Sequence, residues 1–359
     1  MLFRSLEKKG EAILVYVPVE FARAKLDLAV RFDKDDRIIG FGLRSPPPPY
    51  AKADSYQEVE VTVGEGGKWP LPGTLTLPKG KGPFALVVLV HGSGPHDRDE
   101  SIILNKPFRD LAWGLASQGV AVLRYVKRNL EHTAKLLEQH GDKLTVKEEV
   151  TDDVLAAVEL GRKRKDIDPK RVFVLGHSLG GYLAPRIGSA DDKIAGLIIL
   201  AGYTRPLEDL VDEQYEYLLG LDGKAKENEK FLEKVKKQTE RVRKHLKEDT
   251  PAKDLPEGLP ASYWLDMKKY DPAATAAKLK VPMLILQGER DYQVTMDDFA
   301  GWKKALKGHK DATLKSYPKL HHLFMEGKGK GKARPEEYNE AQHVSKEVID
   351  DVAAWVKKR

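Results

Sequence analysis

Between residues 12 and 44, apolar and polar positions alternate. Ile13, Val15 and Val17 are followed by Leu26, Leu28, Val30 and Phe32, and the apolar run from Ile38 to Leu43 comes after Asp33-Lys34-Asp35-Asp36. A period of two places one set of side chains on one face of a strand, and the Asp-Lys cluster supplies turn residues, so the pattern predicts a hairpin. Four consecutive prolines, Pro46 to Pro49, then impose extended backbone without donors and mark a boundary. This β-rich accessory segment, residues 1–50 with its linker, is too short to bury a core alone.

From Gln57 the pattern changes. Strand signals at 59–63 and 73–77 lead to the unbroken apolar run 84–90, which suits a strand covered on both faces. A helical pattern at 107–117, a strand at 120–125, a helix at 147–163, a strand at 172–175, a helix after Ser178 and a strand at 194–200 follow in turn. Repeated alternation of strand and helix implies an α/β fold, a mostly parallel, doubly wound sheet. The alternation breaks at Gly202 and resumes at 281–287. The interval carries charged helical stretches at 213–219 and 224–247 and a Pro-rich piece ending in Tyr263-Trp264. It is too long for a loop and too polar for a core, so 203–280 is expected to form a helical cap inserted before the strand at 281–287. A helix at 297–306, a strand at 312–317 and an amphipathic helix bearing Val344, Val348, Ile349, Val352 and Trp355 complete a domain made of 51–202 and 281–359. The Gly-Lys repeat at 327–332 is expected to be a flexible loop.

Composition narrows the classes. With 41% apolar residues over 359 positions the chain can bury a large core, and Lys plus Arg (61) nearly balance Asp plus Glu (55) in an interspersed pattern. A nucleic-acid binder would gather its basic residues in a stripe, so no nucleic-acid partner is expected. No run reaches the roughly 18 apolar residues of a membrane span. The opening MLFRSLEKKGEAILVYV is broken by charges and has no small-residue cleavage site, so a soluble, cytoplasmic protein is expected; a secreted parent whose leader had been removed would look the same. Zero Cys excludes disulfides, thiolate nucleophiles and cysteine metal sites. Together with 32% charged residues and five Met, it resembles thermostable sequences. A melting temperature in the ordinary mesophile range would count against that.

Gly176-His177-Ser178-Leu179-Gly180 fits G-x-S-x-G between a strand and a helix. A serine hydroxyl becomes a working nucleophile only when it projects from a tight turn toward a base, and flanking glycines clear that turn. One oxyanion donor is then expected at the Leu179 amide. The second is expected in Val90-His91-Gly92-Ser93-Gly94-Pro95, at the Ser93 amide, with Gly92 or Gly94 as alternatives. An acid and then a histidine should follow at later strand ends. Asp291 competes with Glu289 for the first role, and His322 with His321 for the second. His91 and His177 are expected to pack behind the site. His96, Asp97 and Asp99 have no metal-ligand spacing and are interleaved with Arg98 and Glu100, so a salt-bridged loop is expected and no metal.

The run His91-Gly92-Ser93-Gly94-Pro95-His96-Asp97-Arg98-Asp99-Glu100, the segment Asn105 to Ala112, and Leu123-Arg124-Tyr125 resemble bacterial carboxylesterases of the α/β-hydrolase fold that carry an N-terminal accessory domain. The resemblance runs from about Tyr56 to the C-terminus; residues 12–44 resemble only the last part of that domain, as in a truncated one. It implies the triad Ser178, Asp291 and His322, with His321 standing where the family has asparagine. It also implies cofactor-free hydrolysis of short-chain acyl esters; the alternatives are another acyl hydrolase on the same fold (aromatic or polyester esterase, thioesterase, peptidase) or a non-catalytic binding protein of that fold. Val126 stands where the family has aspartate, which leaves open what holds Arg128. A pocket from Gly92, His177, Tyr203, Tyr215, Tyr263 and Trp264 is expected from their positions. An unpaired N-terminal strand edge further suggests a homo-oligomer.

Overall fold

The computed structural model describes residues 5–9, 12–21, 24–221 and 225–359. The first residues of the leader reading and of the helix expected from Lys224 lie outside the described residues. The described residues form two sheets. The smaller is antiparallel, with β1 (Ser5–Lys9), β2 (Ala12–Phe21), β3 (Ala24–Phe32) and β4 (Ile38–Arg44) in chain order. The turn at 33–36 is closed by the Asp33 carboxylate, which accepts the amides of Asp35 and Arg37 at 2.8 and 2.9 Å. Register aligns Val15 with Val30 and Val30 with Phe41, and likewise Val17, Leu28 and Leu43, so these share a face. On the opposite face Asp27 is buried and Arg44 lies over the Tyr16 ring. The proline segment is docked on the larger body: Arg109 donates to the carbonyls of Ser45 and Pro46, and Tyr50 donates to the Val344 carbonyl at 2.7 Å.

The larger sheet holds β5 (Tyr56–Val63), β6 (Leu71–Pro78), β7 (Phe84–Val90), β8 (Ala121–Tyr125), β9 (Ile167–His177), β10 (Gly196–Leu200), β11 (Met283–Gly288) and β12 (Ala312–Tyr317). Its order is β12-β11-β10-β9-β7-β8-β6-β5, parallel from β12 through β8 and antiparallel at β6 and β5. Consecutive residues Leu86 to Val90 are all fully buried, as only a strand covered on both faces allows. The helices Asp152–Arg162 and Leu179–Ala190 pack on it, and Pro107–Ala116 packs against both β8 and the closing helix Lys346–Lys357. The chain crosses from β8 back over β7 to β9, so the carboxyl ends of β7 and β9 meet at a topological switch point, where open α/β sheets bind ligands.

Between β10 and β11 the chain leaves the sheet for the helices Leu207–Leu221, Ala225–Glu240, Ala261–Lys268 and Pro272–Lys278. Despite its charge this segment owns a small core of Val211, Val235, Val242, Leu255, Ala261 and Trp264. Arg243 binds Asp209 and Asp212 at 2.8 and 2.6 Å beside it. The Gly-Lys loop is less free than expected. Buried Arg290 donates to the carbonyls of Lys328 and Gly331 and pairs with Glu337 at 2.8 Å, which ties the loop to the end of β11.

Candidate active site

β9 ends at His177, and the next residue turns the chain into the helix Leu179–Ala190. Ser178 has φ 53° and ψ −114°, a region that costs a non-glycine residue about 1–3 kcal/mol. The bend is held by its amide, which donates to the Leu200 carbonyl at 2.9 Å, and by its carbonyl, which accepts Tyr182 N–H at 2.9 Å. Glycine is required around it: a Cβ on Gly176 would sit 2.1 Å from the Gly180 oxygen, and one on Gly180 would sit 2.2 Å from the Val90 oxygen. Sequence thus dictates a tight strand-to-helix turn that projects the serine into a cavity of about 620 Å³.

His322 lines the same cavity. Its Nδ1 lies 2.7 Å from Asp291 Oδ2, and the Asp291 side chain is fully buried. The carboxylate is fixed on all sides: Oδ1 accepts the amides of Gln293 and Val294 at 2.8 and 3.0 Å, and Oδ2 also accepts Gln287 Nε2 at 3.2 Å. A carboxylate so held selects the imidazole tautomer that carries its proton on Nδ1 and leaves Nε2 free to accept one. Both competing residues point elsewhere. His321 accepts the Leu323 amide on Nδ1 and packs edge-on against Tyr338, and burial pushes its pKa down to about 4. Glu289 is exposed and accepts the Ser316 hydroxyl at 2.8 Å.

Facing Ser178 across the switch point is the loop that follows β7. Leu179 is the first residue of its helix, so its N–H has no acceptor within the helix. Of the loop amides, Gly92 N–H is already donated to Glu100 Oε1 at 2.6 Å, which removes it from the alternatives to Ser93. Ser93 and Gly94 both line the cavity.

The sequence of residues 81–328 matches the family described as serine aminopeptidase, S33 (Hydrolase_4). The chain belongs to this family of serine hydrolases. It is 39% identical over 348 residues, 95% of its length and 78% of the relative's, to "Esterase EstD" of Thermotoga maritima. By shape it is similar to Est1E from Butyrivibrio proteoclasticus (TM-score 0.51, 18% identity, covering 83% of this chain and 96% of that one). It is also similar to a puromycin-hydrolysing peptidase of Mycobacterium tuberculosis (TM-score 0.52, 17% identity, 98% and 47%). The protein is therefore an α/β-hydrolase of the esterase kind.

This hydrolase carries the remaining expected pocket residues on the cavity wall. Gly92, His177, Tyr203, Tyr215, Tyr263 and Trp264 all line it. Tyr203 is buried and stacks on Tyr182 at 4.2 Å, and Tyr215 donates to Glu257 at 2.7 Å. His177 does more than pack. Its Nε2 donates to the His322 carbonyl at 3.0 Å, and its Nδ1 lies at ion-pair distance, 2.9 Å, from Glu100 Oε2, off the line of a hydrogen bond. Burial works against both charges, yet the pairing outweighs it: His177 is raised above its ordinary pKa, and Glu100 is drawn down to about 2. One carboxylate therefore joins the loop after β7, the residue before Ser178 and, through His177, the loop that carries His322. His91 is buried, its pKa pushed down to about 3 by that burial, and hydrogen-bonds the Asp97 carbonyl at 3.0 Å.

Among the described residues no group of three potential ligands could hold a metal, and no helix is long and apolar enough to cross a membrane. Asp99 pairs with Lys106 and Arg124, each at 2.9 Å, and Arg98 pairs with Glu60. Arg128, left open by Val126, is bidentate on Asp153.

Sequence reasoning missed Glu100, Lys127 and Glu149. Lys127 Nζ donates to the carbonyls of Gly92 and Gly94 and pairs with Glu149, all buried or nearly so. The signal was there in part. A Lys and a Glu that both end up inside must be paired, but the partners of Lys127 lie 22 to 35 residues away in sequence and Tyr263 lies 114 from Glu149.

Proposed function

We propose that this hydrolase cleaves short-chain carboxylic esters through a Ser178–His322–Asp291 triad. His322 removes the Ser178 proton as the hydroxyl oxygen attacks the ester carbonyl; the amides of Ser93 and Leu179 take up the charge on the tetrahedral oxygen; His322 then returns the proton to the departing alcohol. Water, activated by the same histidine, releases the acid from the acyl-serine. The observation that carries the reading is the 2.7 Å contact between His322 and a buried, fully bonded Asp291, with His322 lining the same cavity as Ser178, which is held at positive φ. Apolar walls from Leu207, Leu210, Val211, Leu218 and Leu259 support an acyl or alkyl group as the bound part. No cofactor enters the mechanism.

The test is hydrolysis of p-nitrophenyl esters from acetate to palmitate by the wild type, Ser178→Ala and His322→Ala. Turnover that peaks at short acyl chains and falls by a factor of about 10⁴ or more in both variants is expected. Full activity in Ser178→Ala would overturn the assignment. Activity on thioesters, aminoacyl amides or polyesters but not on simple esters would keep the triad and replace the substrate.

A further inference from the structure

In the loop after β7 the carbonyls of Gly92, Ser93 and Gly94 each accept a side-chain hydrogen bond. Lys127 Nζ donates to Gly92 O at 2.8 Å and to Gly94 O at 2.9 Å, and His96 Nε2 donates to Ser93 O at 2.7 Å. The third hydrogen of Lys127 goes to Glu149 Oε1 at 2.6 Å. An ammonium has three N–H groups and no acceptor, so Lys127 is fully committed. Glu149 is committed as well: Oε1 also accepts Asn129 Nδ2 at 3.0 Å, and Oε2 accepts the hydroxyl of Tyr263, which stands on the cap helix Ala261–Lys268, at 2.8 Å. Both side chains are withdrawn from solvent, at 3% and 7% exposure. A buried ion pair gains little net stability, because desolvation offsets attraction. Two of this cation's three hydrogen bonds end on the loop that faces the nucleophile.

Peptide geometry gives that placement its consequence. In a trans peptide the C=O and the following N–H point in opposite directions, and the cis bond found among the described residues is Gly82–Pro83. Drawing Gly92 O toward Lys127 therefore turns Ser93 N–H the other way. Gly92 abuts Ser178: a Cβ on it would lie 3.2 Å from the Ser178 Cβ. A cation on the carbonyl also polarises the amide, which makes its N–H a stronger donor. We propose that Lys127 is a positioning residue that orients and polarises the Gly92–Ser93 peptide, so that Ser93 N–H meets the negative charge formed during acyl transfer, and that Glu149 and Tyr263 hold Lys127 in place. This rests on the triad reading above.

The experiment compares the wild type with Lys127→Met/Glu149→Gln, which leaves no lone buried charge, and with Tyr263→Phe. Two readouts are used: kcat and KM for p-nitrophenyl butyrate per titrated site, and the second-order rate of Ser178 labelling by a fluorophosphonate. The double variant is expected to lose roughly tenfold to a hundredfold in kcat, with KM within about threefold, and to label more slowly by a similar factor; loss of a direct oxyanion donor sets the ceiling at about 10² to 10³. Tyr263→Phe is expected to stay within about threefold. A folded double variant whose kcat and labelling rate lie within about twofold of wild type overturns the proposal, and so does a change confined to KM. Should the double variant not fold, Lys127→Arg, which keeps the charge but not the three-way donor geometry, is read by the same split. Failure of the wild type on every ester, with labelling intact, would sink the substrate reading alone, because labelling needs Ser178, its base and its donors but no ester.

Discussion

The two sheets of this hydrolase are built from similar residues and meet opposite fates. In the larger, Leu86 to Val90 and Val172 to Leu175 have no exposed surface. In the smaller, β4 presents Phe41 at 81%, Ile38 at 62%, Ile39 at 53% and Leu43 at 52% exposure. What differs is what covers them. The central strands are flanked by helices on both faces, whereas β4 ends the small sheet, and its apolar side chains continue a face shared with Val15, Val17, Leu28 and Val30. Burial is decided by the partner an element meets and not by its own apolar content.

The largest test of the contrast lies in the central sheet. Leu89→Ala, at a fully buried position aligned with Leu175, is expected to cost about 2–5 kcal/mol in denaturant unfolding. A cost below about 1 kcal/mol would mean that the core relaxes as freely as the N-terminal sheet.

Next comes the ion pair beneath the site. Glu100 ionises at about 2 in the fold against an ordinary 4.5, so its contribution is fully present above pH 4.5 and is lost as pH falls toward 2. The advantage of the wild type over Glu100→Gln/His177→Gln, which lacks both members of the pair, is expected to shrink as pH falls from 5 toward 2, followed by thermal unfolding at each pH. Parallel pH curves for the two proteins would remove the pair from the account.

The smallest thermal effect is expected in β4. Phe41→Ser should move the unfolding of the main body by less than about 0.5 kcal/mol. Its effect should appear in mass by light scattering. The small sheet is expected to pack its apolar face against the same face of a second copy about a two-fold axis, and the serine to shift that dimer toward monomer. A strictly monomeric wild type would show that the face meets no second copy.

Much of the larger sheet could be read in advance, because strands covered on both faces are continuous apolar runs and each proposed triad residue stands just beyond a strand end. The N-terminal segment was legible as strands, and its two-residue period correctly grouped Val15, Val17, Leu28 and Val30. The strand Ser5–Lys9 escaped because its composition is mostly charged. Glu100, Lys127 and Glu149 escaped for another reason. Glu100 could be read only as one charge in a salt-bridged loop, Lys127 and Glu149 stand in no pattern that was read, and their joint meaning arises only when strand ends far apart in the chain converge. The Gly-Lys loop misled because its composition is that of a free linker, while the residue that fastens it, Arg290, sits elsewhere in the chain.

The helical segment enters after β10 and returns at β11, two strands that lie side by side, while the serine, the aspartate and the histidine all stand on the sheet. Replacements between residues 203 and 280 are therefore expected to reshape the cavity wall before they reach Ser178, Asp291 or His322. Tyr263 is the exception, because a transplanted cap without a hydroxyl there would arrive disconnected from Glu149.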